Sequence, residues 1–168
     1  MAIGKCSQEL PRVFVRALEE GIVKKLLHTR SMYTISTDKS RLDRAMIHKF
    51  LSEDSYWARN IPRDLVERSI ENAICFGAYD GERQIGFARV VTDRATFAYI
   101  GDVFVLPSHR GRGVSKQIMQ AIRDHPELQN LRRWHLLTRD AHKLYEQFGF
   151  HALTSPERHM EIAIRNPY

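Results

Sequence analysis

Residues 102–122 read DVFVLPSHRGRGVSKQIMQAI, and the fold turns on how this stretch is parsed. An apolar strand-like run ends at Pro107, passes through Arg110-Gly111-Arg112-Gly113, and becomes a run with helical spacing in which Val114, Ile118, Met119, Ala121 and Ile122 share one face. Two readings of this joint stand side by side. It is a tight strand-to-helix connection with solvated arginines, or it holds an anion. A helix N-terminus leaves about four backbone N–H groups without intrahelical partners, and the helix dipole adds positive potential there. Glycines let the main chain approach a phosphate without an intervening Cβ, so Gly111 and Gly113 supply closeness while Arg110 and Arg112 supply charge. The stretch is neither a Walker A loop nor a GxGxxG motif.

Outward from this joint, the preceding run ATFAYIGDVFVLP (95–107) is apolar on both alternating faces, which predicts a strand covered on both sides. Before it, ICFGAYD (74–80) and RQIGFARVVTD (83–93) read as a hairpin turning at Asp80-Gly81. Further back, MYTISTD (32–38) reads as a strand, SRLDRAMIHKFL (40–51) as a helix capped by Ser40, and PRDLVERSIENA (62–73) as a helix beginning at Pro62. After the joint, RRWHLLT (132–138) reads as a strand, DAHKLYEQFGF (140–150) as a helix closed by Gly149, and HMEIAI (159–164) as a last strand. Residues 10–27 carry apolar positions at helical spacing, predicting an N-terminal helical extension over about 1–30 ahead of one domain over 31–168. The expected class is α/β (α+β), with a mixed, mostly antiparallel sheet flanked by helices and one strand–helix–strand unit in its second half.

Composition narrows the function. A chain of 168 residues suits one domain, and no stretch reaches the ~18–20 apolar residues of a membrane span. Gln8, Glu9 and Arg12 interrupt any signal-peptide core, so the expectation is a cytoplasmic protein without a membrane partner. Cys6 and Cys75 make no disulfide framework, and Cys75 reads as a small buried hydrophobe. Eight histidines show no metal-ligand spacing, so no metal is expected. Lys and Arg exceed Asp and Glu by 26 to 20, yet no basic run or nucleic-acid motif accompanies the excess, and a small polyanion suits it better than nucleic acid.

The segment YIGDVFVLPSHRGRGVSKQIM resembles the acyl-CoA-binding core of the GNAT superfamily of N-acyltransferases, whose motif is Arg/Gln-x-x-Gly-x-Gly/Ala after a strand ending in Val-x-Pro. Arg110, Gly111, Arg112, Gly113 and Val114 fit, and Ser115 stands where Gly or Ala is usual. The family's later signature, Ala-x-x-Leu-Tyr-x-x-x-Gly-Phe, is matched by Ala141, Leu144, Tyr145, Gly149 and Phe150, with Thr138 in place of the usual preceding Asn. The resemblance spans about residues 31–165 and implies a GNAT-like fold with acetyl-CoA as co-substrate. It implies that residues 110–115 cradle the pyrophosphate, that the backbone of Val103, Phe104 and Val105 pairs with pantetheine, and that Thr138, Ala141 and Leu144 border the cofactor arm. An N–H at or beside Val103 would meet the thioester oxygen as an oxyanion-type donor.

For the chemistry, the resemblance puts the Tyr145 phenol beside the sulfur as the acid, while the bland reading places it in an apolar stripe with Ala141 and Phe148. Asp102 is the one acidic or basic residue between Ala95 and Ser108. It is either a base or holder of the substrate ammonium, or half of an ion pair with an arginine. Diamine N-acetyltransferases resemble this stretch but carry Glu where this chain has Gly101, which argues against polyamine acceptors. The segment SEDSYWARN (52–60) falls where the family lines its acceptor site. Asp54, Tyr56 and Trp57 either hold a cation there or form a surface loop with Trp57 anchored in the core. Arg89 and Asp93 are weaker cleft candidates. The expected activity is direct acetyl transfer to a primary amine of a small molecule or peptide; an acyl-CoA sensor without turnover is the alternative. The resemblance also makes a homodimer the natural assembly to test.

Overall fold

The computed structural model describes residues 33–164 and 167–168; the helix expected over 10–27, the boundary near residue 30 and Cys6 lie outside them. Five strands form one sheet in sequence order: β1 (Thr34–Ser36), β2 (Ile74–Asp80), β3 (Arg83–Thr92), β4 (Phe97–Val105) and β5 (Arg133–Leu136). The first four pair antiparallel, and β5 joins β4 in parallel. The helical segments are α1 (Arg44–Lys49), which runs into a π-helical turn at Phe50–Asp54, then α2 (Arg63–Glu71), α3 (Val114–Asp124) and α4 (His142–Glu146). The architecture is the mixed, mostly antiparallel sheet flanked by helices that the patterning predicts.

Two apolar layers sandwich the sheet. On one face Phe76, Ile85, Val90, Ala98 and Ile100 pack with Val114, Ile118, Met119 and Ile122 of α3 and with Tyr145 of α4. On the other, Cys75, Phe87 and Phe104 pack with Ile47, Phe50 and Leu51 and with Val66 and Ile70 of α2. Each such fully buried side chain contributes roughly 1.5–3 kcal/mol relative to exposure. Burial on both sides explains why β4 reads as apolar throughout.

Several boundaries differ from the sequence reading. The cap of α1 is Asp43, whose carboxylate accepts from Met46 N–H, while Ser40 sits in a short 3₁₀ turn capped by Asp38. The hairpin turn is Gly81-Glu82, because Asp80 still pairs with Arg83; Gly81 takes φ +59, as a Gly-first hairpin turn requires. Residues 159–164 are not a strand. Met160, Ile162 and Ile164 alternate as a strand would, but a strand needs a ladder partner and none of the described residues pairs with them, leaving Met160 and Ile162 almost wholly exposed. The helix expected over 140–150 is trimmed to His142–Glu146, and Gly149 (φ +86) then lets Phe150 N–H return to Tyr145 C=O at 3.3 Å.

Gly86 shows how closely β3, β4 and α3 approach: a Cβ there would lie 2.9 Å from the Phe104 carbonyl oxygen and 3.3 Å from Ile118 Cδ1. Gly86→Ala should therefore lower stability by about 1–3 kcal/mol in chemical denaturation; an unchanged midpoint would show that the sheet yields freely at this point.

Candidate functional site

The cleft begins where β4 and β5 part. Their pairing runs from Phe97↔Arg133 to Ile100↔Leu136 and stops. Immediately beyond, β4 bulges against β3: Arg89 faces Gly101 and Phe87 faces Phe104, so Asp102 and Val103 stand opposite the single residue Ala88. The extra residue shifts the alternation. Ala98 and Ile100 face the α3 layer before the bulge, Val103 and Val105 after it. The backbone of residues 102–105 thus leaves the β5 ladder at the point where the cleft opens.

Asp102 makes this kink with φ +53, a left-handed conformation costly for most side chains. Both carboxylate oxygens are engaged. Arg89 Nε donates to Oδ2, and Trp57 Nε1 donates to Oδ1 at 3.0 Å. Of the two readings for Asp102, the ion pair with an arginine is the one found, and its carboxylate does not line the cleft. The space beside Gly101 is filled by the same partner, since a Cβ there would lie 3.6 Å from the Arg89 guanidinium carbon and 3.4 Å from the Tyr99 ring.

Trp57 is not anchored in the core. It is 41% exposed and packs edge-on to Tyr56 with ring centroids 5.0 Å apart. The π-helical turn delivers it: Ser55 N–H reaches back five residues to Phe50 C=O at 2.9 Å, and Ser55 Oγ donates to Leu51 C=O at 2.6 Å. Phe50 stacks flat on Phe104 of β4, centroids 3.9 Å apart, pinning the turn over the strand. Asp54, Tyr56 and Trp57 consequently line one side of the cleft. Arg139 sits over the Tyr56 ring at 3.7 Å while its backbone N–H donates to the Tyr56 hydroxyl, closing that side.

The floor is the joint read first in the sequence. Gly111 (φ +74) and Gly113 (φ +79) both take left-handed angles, and Gly113 precedes the first turn of α3. A Cβ at either position would meet nothing within 4 Å, so the backbone face is open to a ligand. Arg110 lines the cleft but turns its Nε back to the Val105 carbonyl at 3.0 Å, tying the loop to the end of β4. Arg112 is exposed and outside the lining, and Ser115 lies within it. Thr138 is also outside; its hydroxyl accepts from Ala141 N–H at 3.0 Å and so holds the turn ahead of α4.

Val103, Phe104, Val105, Gly111, Gly113, Val114, Ser115, Ala141, Leu144 and Tyr145 converge on this one cleft of about 400 Å³, although up to 42 positions (145 − 103) separate them along the chain. Tyr145 is 8% exposed, and burial pushes its phenol up to about 12. Cys75 lies in the core with its thiol pushed up to about 11 by burial, far from thiolate character. Asp93, considered for the cleft, instead caps its own loop by accepting from the N–H groups of Ala95, Thr96 and Phe97.

Three lining residues were not singled out in the sequence: Phe50, Asp140 and His109. His109 is buried, with Nε2 3.4 Å from Asp80 Oδ2 and Nδ1 2.8 Å from Ser108 Oγ, and it braces the loop leading to Arg110. No local motif marks it. The bulge did leave a trace, in the slip of the buried positions from even (98, 100) to odd (103, 105) numbers. Among the described residues no His, Cys, Asp and Glu group is arranged to hold a metal ion, and no helix is long and apolar enough to cross a membrane.

The bulge can be tested apart from any activity. Asp102→Ala leaves Arg89 without its carboxylate and keeps a Cβ at φ +53, and it should cost about 1–3 kcal/mol. Asp102→Gly loses the same pair but relieves the backbone, so it should be the more stable of the two by about 1 kcal/mol. Denaturation midpoints in the reverse order would contradict a strained bulge at residue 102.

The chain is similar to known proteins. The model of the acetyltransferase (GNAT) domain matches residues 71–152, which carry β2 to β5, the glycine joint and α4. FG08082 of Gibberella zeae, named by inference as an acetyltransferase, is 33% identical over 146 residues, 74% of this chain and 81% of that protein. A Xanthomonas campestris pv. campestris structure assigned to the GNAT family is 52% identical, with a TM-score of 0.77 over 79% of this chain and 93% of that one. At the level of fold alone, AAC(6′)-Iy in complex with the bisubstrate analogue CoA-S-monomethyl-acetylneamine is similar as well, at 23% identity and a TM-score of 0.58 over 80% and 99% of the two chains. With its cleft, its glycine joint and these relatives together, the chain belongs to the GNAT family of acetyltransferases.

Proposed function

We propose that the protein transfers the acetyl group of acetyl-CoA to a primary amine of a small molecule or peptide, by direct attack with both substrates bound. The observation that carries this reading is the convergence of the freed β4 backbone, the open glycine joint and the Tyr145 phenol on one cleft. The CoA held by AAC(6′)-Iy in its bisubstrate analogue is in keeping with it.

Acetyl-CoA supplies an acetyl thioester: the neutral amine nitrogen forms a bond to the acetyl carbon, the carbon–sulfur bond breaks, the sulfur leaves with its electron pair as a thiolate, and the proton shed by the nitrogen passes to water and is returned to the sulfur from solvent. The chain's residues support each need of that exchange. Gly111, Gly113 and the first turn of α3 present backbone N–H groups and the positive helix end to the pyrophosphate, and Ser115 adds a hydroxyl. Arg110, tied to the Val105 carbonyl, contributes charge at the rim. Val103, Phe104 and Val105 offer backbone groups to pantetheine, and the N–H at Val103 polarises the thioester oxygen. Ala141 and Leu144 give an apolar wall to the acyl arm.

Tyr145 holds its proton throughout the neutral range, because burial pushes its phenol up to about 12. The same burial makes complete transfer to a thiolate less favourable than from an exposed phenol near ~10. Its hydroxyl therefore acts first as a hydrogen-bond donor to the charge developing on sulfur. Asp102, with both oxygens engaged, acts as a positioning residue that holds the bulge and Trp57. Asp54 and the Trp57 ring offer a carboxylate and an aromatic face to an ammonium-bearing acceptor, while Arg139 already lies over the Tyr56 ring and 3.8 Å from Asp140 Oδ2. The neutral, buried Cys75 thiol makes a covalent acyl-enzyme at that residue unsuitable.

A thiol-release assay with acetyl-CoA and a panel of small amines, amino acids and peptides tests the reading. Amine-dependent release is expected. Tyr145→Phe should lower turnover by about tenfold or more while leaving acetyl-CoA affinity nearly unchanged. Binding of acetyl-CoA without release for any amine would favour the sensor alternative, and turnover equal to wild type in Tyr145→Phe would remove the donor role.

A further inference from the structure

A second hollow, of about 710 Å³, shares no lining residue with the acyl-transfer cleft. Its size is within the range of small-ligand sites, roughly 300–1,000 Å³. Its walls come from the last turn of α3 with Arg123, the start of β5 with Arg132 and Arg133, and the C-terminal segment with Arg158. Four guanidinium groups border one volume, and among the described residues no carboxylate lines it. Helix α3 carries the glycine joint at one end and Arg123 near the other, about 15 Å apart along its axis.

Several arginines elsewhere in the fold are neutralised in ion pairs. Arg44 pairs with Glu67 and Glu71, Arg89 with Asp102, and Arg94 with Glu127. Among the described residues, Arg123, Arg132, Arg133 and Arg158 lie within ion-pair distance of no carboxylate. Arg123 is nevertheless held, its guanidinium over the Trp134 ring at 4.9 Å. His135 stacks on His159 with centroids 5.1 Å apart, which joins the C-terminal segment to β5 along the hollow. The His135 imidazole is pushed down by burial first, then by His159 and Arg133, as expected where positive groups crowd. Gathering like charges without a counter-charge costs Coulomb energy that salt only partly screens. Guanidinium forks match phosphate oxygens in geometry as well as charge.

We propose that this hollow is a binding site for a compact phosphate-class polyanion, separate from the acetyl-CoA cleft. The cations surround a concavity rather than lining a ridge, which suits a compact ligand over the spaced phosphates of nucleic acid. The Ser155 and Thr154 side chains on its rim supply neutral donors to the same oxygens.

The probe is inorganic pyrophosphate, titrated calorimetrically into the full chain carrying Gly113→Glu, which closes the glycine joint to the same anion, with backbone amide NMR shifts recorded in parallel. Saturable binding is expected, with shifts concentrated at 132–135 and 154–159. In that background the added Arg133→Gln/Arg158→Gln pair should weaken binding about tenfold or more. Arg133 and Arg158 are both exposed side chains, and the single variant Arg132→Gln gives a milder second reading should the double variant fold poorly. Loss of binding in Gly113→Glu, unchanged binding in the double variant, shifts confined to 110–116, or displacement of pyrophosphate by a short DNA duplex would each overturn the proposal.

Discussion

The shape of the cleft depends on one left-handed residue in β4. At Asp102 the backbone of β4 turns through a left-handed angle, and Arg89 from the neighbouring strand and Trp57 from the π-helical turn hold the carboxylate in place. Without the bulge, β4 would continue in register with β5, and the backbone of residues 102–105 would have no freedom to face a ligand. The same carboxylate that secures the kink also draws Trp57 over the cleft. Strand geometry and the aromatic wall of the cleft are therefore coupled through a single side chain.

The second constraint is the glycine joint. Two left-handed glycines, one of them directly ahead of α3, leave an open backbone face at the positive end of a helix. The helix is locked in turn by Val114, Ile118, Met119 and Ile122 against the sheet. Open backbone face and core are two sides of the same element, which is why the motif is short in sequence yet rigid in space. Tyr145 completes the cleft from α4, ahead of which Thr138 holds a turn and whose last turn is closed by Gly149.

The joint was legible in the sequence because its determinants are local: glycine, a preceding strand, a following amphipathic face. Tyr145 was legible through a second motif of fixed spacing. Asp102 was legible as an oddity, a carboxylate in an apolar strand, but its partner was not. Arg89 lies on another strand, and only the antiparallel register brings the two together. The exposure of Trp57 was hidden for a similar reason, since a π-helical turn does not follow the helical spacing used to assign faces. The strand expected at 159–164 failed because alternation reports a face and says nothing of a ladder partner. The second hollow escaped altogether: its arginines come from three separate segments, none of which is a basic run.

The central claim is that the parted strands and the glycine joint together receive acetyl-CoA. A crystal structure of the full chain with coenzyme A measures this directly. The account predicts pyrophosphate against the backbone of residues 111–115, pantetheine along Val103–Val105, and sulfur within hydrogen-bond reach of the Tyr145 hydroxyl. Coenzyme A seated in the arginine-lined hollow, with the cleft at β4 and β5 unchanged, would contradict it.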